Sequence, residues 1–262
     1  MELPRPTDDI DRAEHDLDVH GLCALTGVLD GPALERVRSE LYAAAAADLA
    51  AADDAPAFGL DVDRSNQRVW NVLGRAEVFV GLAEHPAALR LLRSVLGWPM
   101  LLGNLSANIT GPGGAACVLH ADQIFVPEPW PARPQGANAA WAVDDFTAAN
   151  GGTQFVPGSH LRNRTPRPDD PAELTDAVPL VVPAGTLVVF DSRVWHRTGP
   201  NTTDDERRAA IFGWYTRPIY RTQENWFLAL DPSIRETASD DLLVLLGYRT
   251  AGLGLVNGRS PV

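Results

Sequence analysis

The sequence predicts a mainly β domain with flanking helices, and three observations lead to this fold class. Between Leu101 and Tyr215 the chain consists of short runs of β-type residues that Gly, Pro and Asn interrupt. Helical periodicity is concentrated in about the first hundred residues. The length of 262 residues suits one domain, because all-β sandwiches and barrels commonly run to about 200–250 residues. Many short strands separated by turn residues are typical of a sandwich or barrel.

The part before this region, about residues 1–100, is predicted to be helical with one short strand at His20–Leu25. Asp30 has the residue type of a helix N-cap, and the following apolar residues recur at helical spacing. The alanine-rich tract Ala43–Ala52 continues that helix because alanine has the highest helix propensity. A second helical region covers Glu77–Leu96, and Gly97 ends it.

The β core is predicted to span about residues 101–220, and an extension follows over 221–262 with one helix near Asp240–Leu246. Together the three parts form a single domain over residues 1–262. The Pro-rich stretch Arg162–Asp176 is expected to be a long surface loop that covers a site. The predicted strands are Leu101–Thr110, Val118–Ile124, Asn138–Val143, Thr153–Val156, Leu180–Val182, Thr186–Phe190 and Ala209–Tyr215.

Charge and composition exclude several classes of function. All 22 basic residues are arginine, which removes Schiff-base chemistry and the lysine of a phosphate-binding loop. The net charge of −12 disfavours nucleic acid and anionic membranes as partners, because the long-range field repels both. The expected partner is a small-molecule substrate, and no oligomeric state is predicted.

The expected compartment is the reducing cytoplasm. The only cysteines, Cys23 and Cys117, are too few for a disulfide framework or a zinc ribbon. No apolar leader follows Met1, and no apolar run reaches the ~18 residues that a membrane span needs.

Three side chains are candidate metal ligands: His120, Asp122 and His196. The period of two in a strand sends His120 and Asp122 to the same face. His196 follows the predicted strand Thr186–Phe190. Two histidines and one carboxylate match the facial triad of non-haem iron oxygenases, which leaves three coordination positions open. Arg207, one strand further on, has the guanidinium that pairs with a carboxylate of a 2-oxo acid.

Five segments carry a family resemblance through their residues and their order. In chain order they are HGLCALTGVLDGPALERVRSEL, LAEHPAALRLLRSVLGWP, GPGGAACVLHADQ, WAVDDFTAANGGTQFVPGSH and PAGTLVVFDSRVWHRTGPNTTDDERRAAIFGWY. Over roughly residues 15–220 the chain resembles the phytanoyl-CoA dioxygenase family of iron(II)- and 2-oxoglutarate-dependent oxygenases.

The resemblance implies a double-stranded β-helix, or jelly-roll, core with iron(II), 2-oxoglutarate and O2 at its site. It implies iron ligation by His120, Asp122 and His196, and a role for Arg207 on the distal carboxylate of 2-oxoglutarate. Thr198 is expected on that same carboxylate.

Two further expectations concern the co-substrate pocket. Trp141 falls where some family members place a tryptophan in that pocket. Relatives often have an amide side chain two residues before the first histidine, where this chain has Val118. Asn104 or Asn108 is expected to supply that contact instead.

The sequence thus predicts a dioxygenase that oxidises a C–H bond of a small natural-product-type molecule and releases succinate and CO2. Hydroxylation is the default outcome, and desaturation, epimerisation, cyclisation and endoperoxide formation stay open. Two alternatives stay open at this point. One is a jelly-roll metalloenzyme that does not use 2-oxoglutarate, and the other is a non-catalytic jelly-roll binding protein. In the latter, the three polar residues would only make core hydrogen bonds.

Overall fold

Two antiparallel β-sheets pack face to face in the computed structural model, which describes residues 2–51 and 59–262. The larger sheet has six strands in the order β1-β7-β4-β9-β3-β2, and the smaller has three in the order β6-β5-β8. This is the jelly-roll core that the family resemblance implies. The strands are β1 Leu22–Leu25, β2 Asn66–Val69, β3 Leu101–Thr110, β4 Gly136–Ala142, β5 Thr153–Phe155, β6 Val178–Pro179, β7 Leu187–Asp191, β8 His196–Thr198 and β9 Arg208–Thr216.

Helices cover the outer face of the large sheet, and the two pack together to form the main hydrophobic core of the protein. The first four helices precede β3, and three short ones follow the last strand. No described helix is long and apolar enough to cross a lipid bilayer. The helices are α1 Ile10–His20, α2 Gly31–Ala50, α3 Glu77–Ala83, α4 Pro86–Leu96, α5 Ala172–Thr175, α6 Trp226–Ala229, α7 Pro232–Thr237 and α8 Asp240–Leu245.

Alternation along β9 shows how the large sheet separates two environments. Ala209 and Ile211 belong to the core shared with the helices, whereas Ala210 belongs to the core between the two sheets, with Phe212 packed against it. Side chains of successive strand residues point to opposite faces. Moving by one residue along a strand of this sheet therefore moves a side chain from the helix-side core to the jelly-roll interior, or the reverse.

The helix starts follow the sequence closely. The Asp30 carboxylate accepts a hydrogen bond of 2.8 Å from the backbone N–H of Ala33, as expected for the N-cap of α2. The alanine tract stays helical through Ala50, and its last residue, Ala52, lies outside the described residues. The predicted helix over Glu77–Leu96 is instead two helices, because Pro86 begins α4 and lacks the N–H that would continue α3.

The strand predictions differ in their outcome. Leu101–Thr110 matches β3 at both ends, whereas Val118–Ile124 is wrong as a strand. There, only His120 pairs with a neighbouring strand, and Asp122–Phe125 forms a 3₁₀ helix. The strands β2 and β8 are too short to show a two-residue periodicity in the sequence.

Tyr215 ties the large sheet to the end of α3. Its hydroxyl donates a 2.7 Å hydrogen bond to the carbonyl oxygen of Ala83, and the side chain is fully buried. The link depends on Tyr215 facing the helices, as alternation from Ala209 and Ile211 requires.

We expect Tyr215→Phe to lower the free energy of unfolding by about 1–2 kcal/mol, because it leaves a buried carbonyl without its donor. Urea denaturation measures this loss. Tyr220→Phe is the matched control, since the Tyr220 hydroxyl makes a longer bond of 3.2 Å to Gln135 and its side chain is only half-buried. Equal losses in both variants would contradict the assigned role of the buried hydroxyl.

Candidate active site

The three candidate ligands come together where the segment before Asp122 runs antiparallel to β8. His120 and His196 form a backbone bridge, with N–H to O distances of 3.0 and 2.8 Å in the two directions. Asp122 follows at the start of the 3₁₀ helix. One ligand atom from each of the three side chains lies within 4.8 Å of the other two. The predicted triad thus converges, although Asp122 is not in a strand.

Hydrogen bonds to the main chain orient both imidazole rings. The Nδ1 of His120 lies 2.8 Å from the carbonyl oxygen of Val118, and that of His196 lies 3.0 Å from the carbonyl oxygen of Val194. Because a carbonyl only accepts, each Nδ1 carries the proton and each Nε2 keeps a free lone pair. The two Nε2 atoms lie 3.6 and 3.4 Å from the carboxylate oxygens of Asp122.

Asn138 on β4 fixes the carboxylate of Asp122. Its Nδ2 donates to Oδ2 of Asp122 at 2.8 Å and lies 3.4 Å from the hydroxyl of Ser192. Hydrogen bonds to the ligands of a metal are a usual feature of metal sites, because they fix ligand orientation. The arrangement of His120, Asp122 and His196 therefore fits a divalent metal with borderline ligand preference, such as iron.

The structure does not bring Arg207 to this site. Arg207 is exposed on the helix side, where it donates a 3.0 Å hydrogen bond to Gln67 and lies 5.6 Å from the ring centroid of Tyr42. Arg207 does lie on the same face of β9 as Ala209 and Ile211, but this face of the sheet packs against the helices. The arginine that points into the jelly roll is its neighbour, Arg208.

Arg208 is fully buried between the sheets. One amino group donates to Thr110, at 3.1 Å, and to the carbonyl oxygen of Gly151. The guanidinium also lies over the ring of Phe146, at 5.0 Å from its centroid. The Nε and Nη1 atoms have no hydrogen-bond partner among the described residues. A buried guanidinium with unpaired donors fits a carboxylate ligand, which would accept from them.

Burial, together with the neighbouring charge of Arg68, lowers the pKa of Arg208 to about 10. The side chain is therefore still cationic at neutral pH, although its charge is costly in this environment. A bound anion would offset that cost.

Thr198 and Asn108 lie together in the interior, as their strands place them. The amide nitrogen of Asn108 donates to the hydroxyl of Thr198 at 3.1 Å, and its Oδ1 has no partner among the described residues. Asn108 stands two residues before Thr110, so both point to the face that holds Arg208. Asn104 is further out on β3, where its amide contacts Gln223.

Trp141 does not lie in the pocket. It is buried in the helix-side core, and its ring makes an edge contact of 5.3 Å with the ring of His85. On β4, Asn138 and Ala140 face the jelly-roll interior, so Trp141 must face the helices. The expectation that Trp141 contributes to the co-substrate pocket is therefore corrected: the ring packs in the core.

A cavity of about 190 Å³ opens from the triad to the surface and is termed the main pocket. Its outer wall is aromatic and aliphatic, and its polar groups are mostly neutral. Among the described lining residues, the charged side chains outside the triad are limited to Arg68, which pairs with Asp61 at 2.8 Å. The loop Arg162–Asp176 does not line the main pocket. The outer wall consists of Leu60, Trp70, Ile124, Phe125, Phe212 and Trp214, and the neutral polar residues are Asn104, Ser106, Asn138, Thr153, Thr198 and Gln223.

The sequence reasoning missed Arg208, Asn138 and the position of Cys117. Cys117 lines the main pocket, where its sulfur accepts from the N–H of Thr198 at 3.1 Å. Burial raises the pKa of its thiol, but interactions with the neighbouring His120 and with the N–H of Thr198 outweigh burial and lower the pKa below its ordinary value. Because successive strand residues point to opposite faces, knowledge of which face of β9 is interior would have identified Arg208 in place of Arg207.

The family model of phytanoyl-CoA dioxygenase (PhyH) matches residues 17–209 of this chain. A relative from Aspergillus fumigatus, dioxygenase af480, is 35% identical over 246 residues, which cover 93% of this chain and 79% of the relative. Dioxygenase lolE1 from Epichloe uncinata is 36% identical over 139 residues, which cover 49% of this chain and 51% of the relative.

Solved structures share the fold. The non-haem α-ketoglutarate-dependent epimerase SnoN from nogalamycin biosynthesis is similar with a TM-score of 0.63 and 25% identity, over 89% of this chain and 92% of SnoN. HygX from Streptomyces hygroscopicus, with nickel, 2-oxoglutarate and hygromycin B bound, has a TM-score of 0.64 and 19% identity, over 80% of this chain and 88% of HygX.

The extent of these matches decides between the alternatives that the sequence left open. The family match covers most of the chain, and the relative from A. fumigatus aligns over nearly all of it. The chain belongs to the phytanoyl-CoA dioxygenase family, and it is a non-haem iron- and 2-oxoglutarate-dependent dioxygenase.

Proposed function

We propose that His120, Asp122 and His196 hold the iron, and that Arg208 binds the distal carboxylate of 2-oxoglutarate. The observation that carries this proposal is the convergence of three metal-ligand side chains in a jelly-roll interior that also holds a buried arginine with unpaired donors. Arg208 replaces Arg207 in this role, because Arg207 faces away from the triad.

The protein groups prepare this chemistry by position. Both histidines present Nε2, because main-chain carbonyls hold their Nδ1 protons, and Asn138 keeps the carboxylate of Asp122 turned towards them. A facial triad leaves three positions on the iron open. When bound there, iron would supply the activation of O2 that is coupled to oxidative decarboxylation of 2-oxoglutarate to succinate and CO2.

The co-substrate end of the site is defined by neighbours of Arg208. Thr198 lines the main pocket and accepts from Asn108, and the hydroxyl of Thr110 accepts from Arg208. Thr198 is in the wall of the main pocket, whereas Arg208 is not among its lining residues. The free Nε and Nη1 donors of Arg208 suit a carboxylate, which accepts hydrogen bonds. The unpaired Oδ1 of Asn108 is an acceptor, and it suits a water molecule that is bound next to that carboxylate.

The substrate is proposed to be an uncharged, natural-product-type small molecule that is hydroxylated at a C–H bond. Support comes from the outer wall of the main pocket, where Trp70, Phe125 and Trp214 offer aromatic surfaces and Asn104 and Gln223 offer amides. An acyl-CoA thioester would bring several phosphate charges to a chain whose net charge is −12 and which has no lysine. The similarity to SnoN, an enzyme of nogalamycin biosynthesis, also supports a small-molecule substrate.

We expect an anaerobic titration of the metal-free protein with iron(II) and then 2-oxoglutarate to produce a visible metal-to-ligand charge-transfer band. His120→Ala should abolish this band, because the iron loses one of three protein ligands. His15→Ala is the matched control, since His15 is exposed on α1. A full band in His120→Ala, or bound iron without a band in the wild type, would refute the assignment.

We expect Arg208→Gln to weaken 2-oxoglutarate binding by at least about 30-fold, because loss of a buried charge partner typically costs about 2–5 kcal/mol. Arg207→Gln, its sequence neighbour, should bind 2-oxoglutarate like the wild type. The charge-transfer band in the iron-loaded protein gives both dissociation constants. Thermal melting shows whether each variant is folded. The reverse ranking of the two variants would restore Arg207 as the anchor.

We expect uncharged polycyclic phenols and ketones to stimulate succinate release, and palmitoyl-CoA to leave it near the substrate-free rate. The reason is the neutral, partly aromatic wall of the main pocket. Succinate is measured by coupled assay, and mass spectrometry under ¹⁸O2 tests whether one labelled oxygen enters the product. Stimulation by palmitoyl-CoA alone would reject the proposed substrate class, and a product without label would reject hydroxylation.

A further inference from the structure

A second cavity, of about 320 Å³, lies beside the main pocket on the side of Asp122. We call it the side chamber, and its wall includes Gln123, Val126, Gly136, Ser192, Thr216 and Tyr220. Asp122, Phe125, Trp214 and Gln223 line both cavities. The side chamber therefore lies directly beside the main pocket, with these four residues in the shared wall.

Two residues in the wall of the side chamber each have a buried polar atom without a hydrogen-bond partner among the described residues. These atoms are Nε2 of Gln123 and Oγ1 of Thr216, and the two residues are only 2% and 1% exposed. The amide orientation of Gln123 is determined by its Oε1, which accepts from the N–H of Gln135 at 2.8 Å. An unpaired buried donor is costly to folding, so two on residues of one cavity wall require an explanation.

Strand geometry places Thr216 on the interior side of the large sheet. Thr216 shares the interior face of β9 with Trp214, and it is paired with Gly136 on β4. A Cβ at Gly136 would lie 2.8 Å from the hydroxyl of Ser192 and 3.0 Å from Nε1 of Trp214. Glycine at position 136 thus leaves room for the 3.2 Å hydrogen bond that Nε1 of Trp214 donates to the hydroxyl of Ser192, between the two cavities.

The charge of the wall restricts what the side chamber accepts. Among its described lining residues, the charged side chains are Asp122, which is assigned to the iron, and Arg221, which is exposed. Phe125 and Trp214 offer ring surfaces at its border with the main pocket, with centroids 5.9 Å apart. A neutral group with a flat apolar body and one polar atom matches this wall.

We infer that the side chamber binds the part of the substrate remote from the oxidised carbon, as an uncharged ring system whose carbonyl or hydroxyl oxygen lies between Gln123 and Thr216. This inference rests on the proposed function, because it concerns the substrate of the same iron site. The substrate is then bipartite: one part reaches the triad through the main pocket, and the other part pairs with the two buried donors.

The test uses a pair of probes that differ in one carbonyl group, indan-1-one and indane. Each is titrated calorimetrically into the protein loaded with iron(II) and 2-oxoglutarate under argon. The protein variants are Thr216→Val, which keeps the shape of the side chain, and Gln123→Glu, which keeps an acceptor for the N–H of Gln135. The charge-transfer band is recorded in the same samples.

In the wild type, indan-1-one should bind about five- to tenfold more tightly than indane, the advantage of one or two net hydrogen bonds. In each variant that advantage should fall to about two- to threefold, because one of the two donors is lost, while the affinity for indane is unchanged. Thr216→Val should melt at the same temperature as the wild type or higher, because it removes an unpaired buried hydroxyl.

Equal binding of the two probes in the wild type, or a ketone advantage that is undiminished in both variants, would overturn the inference while the charge-transfer band upheld the proposed function. Absence of the band in the wild type would contradict the proposed function instead, because the ketone preference is measured separately from it.

Discussion

The two-residue alternation of the large sheet is the constraint on which the active site depends. One face of the sheet packs against the helices, and the other faces the small sheet and the iron site. A shift of one residue exchanges these environments completely. Asn138, Asn108 and Arg208 point into the jelly-roll interior only because their strands are held in this register, and Trp141 packs among the helices for the same reason.

Residue types and motif order predicted the triad, the limits of β3 and the N-cap of α2 without knowledge of the fold. They did not predict which face of a strand meets the helices, because both faces of β9 carry apolar residues. The two-residue alternation correctly placed Arg207 on the same face as Ala209 and Ile211. Only tertiary packing shows which of the two faces is interior. Asp122 shows a second limit of prediction from the sequence. The spacing of His120 and Asp122 fits a strand as well as it fits the turn that the structure has there, so it does not distinguish the two.

Several of the unpaired buried polar atoms lie where ligands are proposed to bind. Arg208 and Asn108 supply them at the co-substrate end, and Gln123 and Thr216 supply them in the side chamber. Each such atom costs stability in the free protein, and a ligand that pairs with it recovers that cost. Site residues that oppose folding are expected where function requires pre-positioned donors, and they explain why an active site is rarely optimal for stability.

The backbone bridge between His120 and His196 has a consequence for the folding of the chain. The two residues are far apart in sequence, and hydrogen bonds from Cys117 to Thr198 and from Gln123 to Ser192 extend the same seam. A metal ion held by both imidazoles would close a long loop across this seam. Loop closure is costly in chain entropy, and binding to the folded state alone adds stability in proportion to the logarithm of the free metal concentration. The ion would therefore act as a reversible cross-link, and the supply of iron would influence how long the folded enzyme persists as well as how fast it turns over.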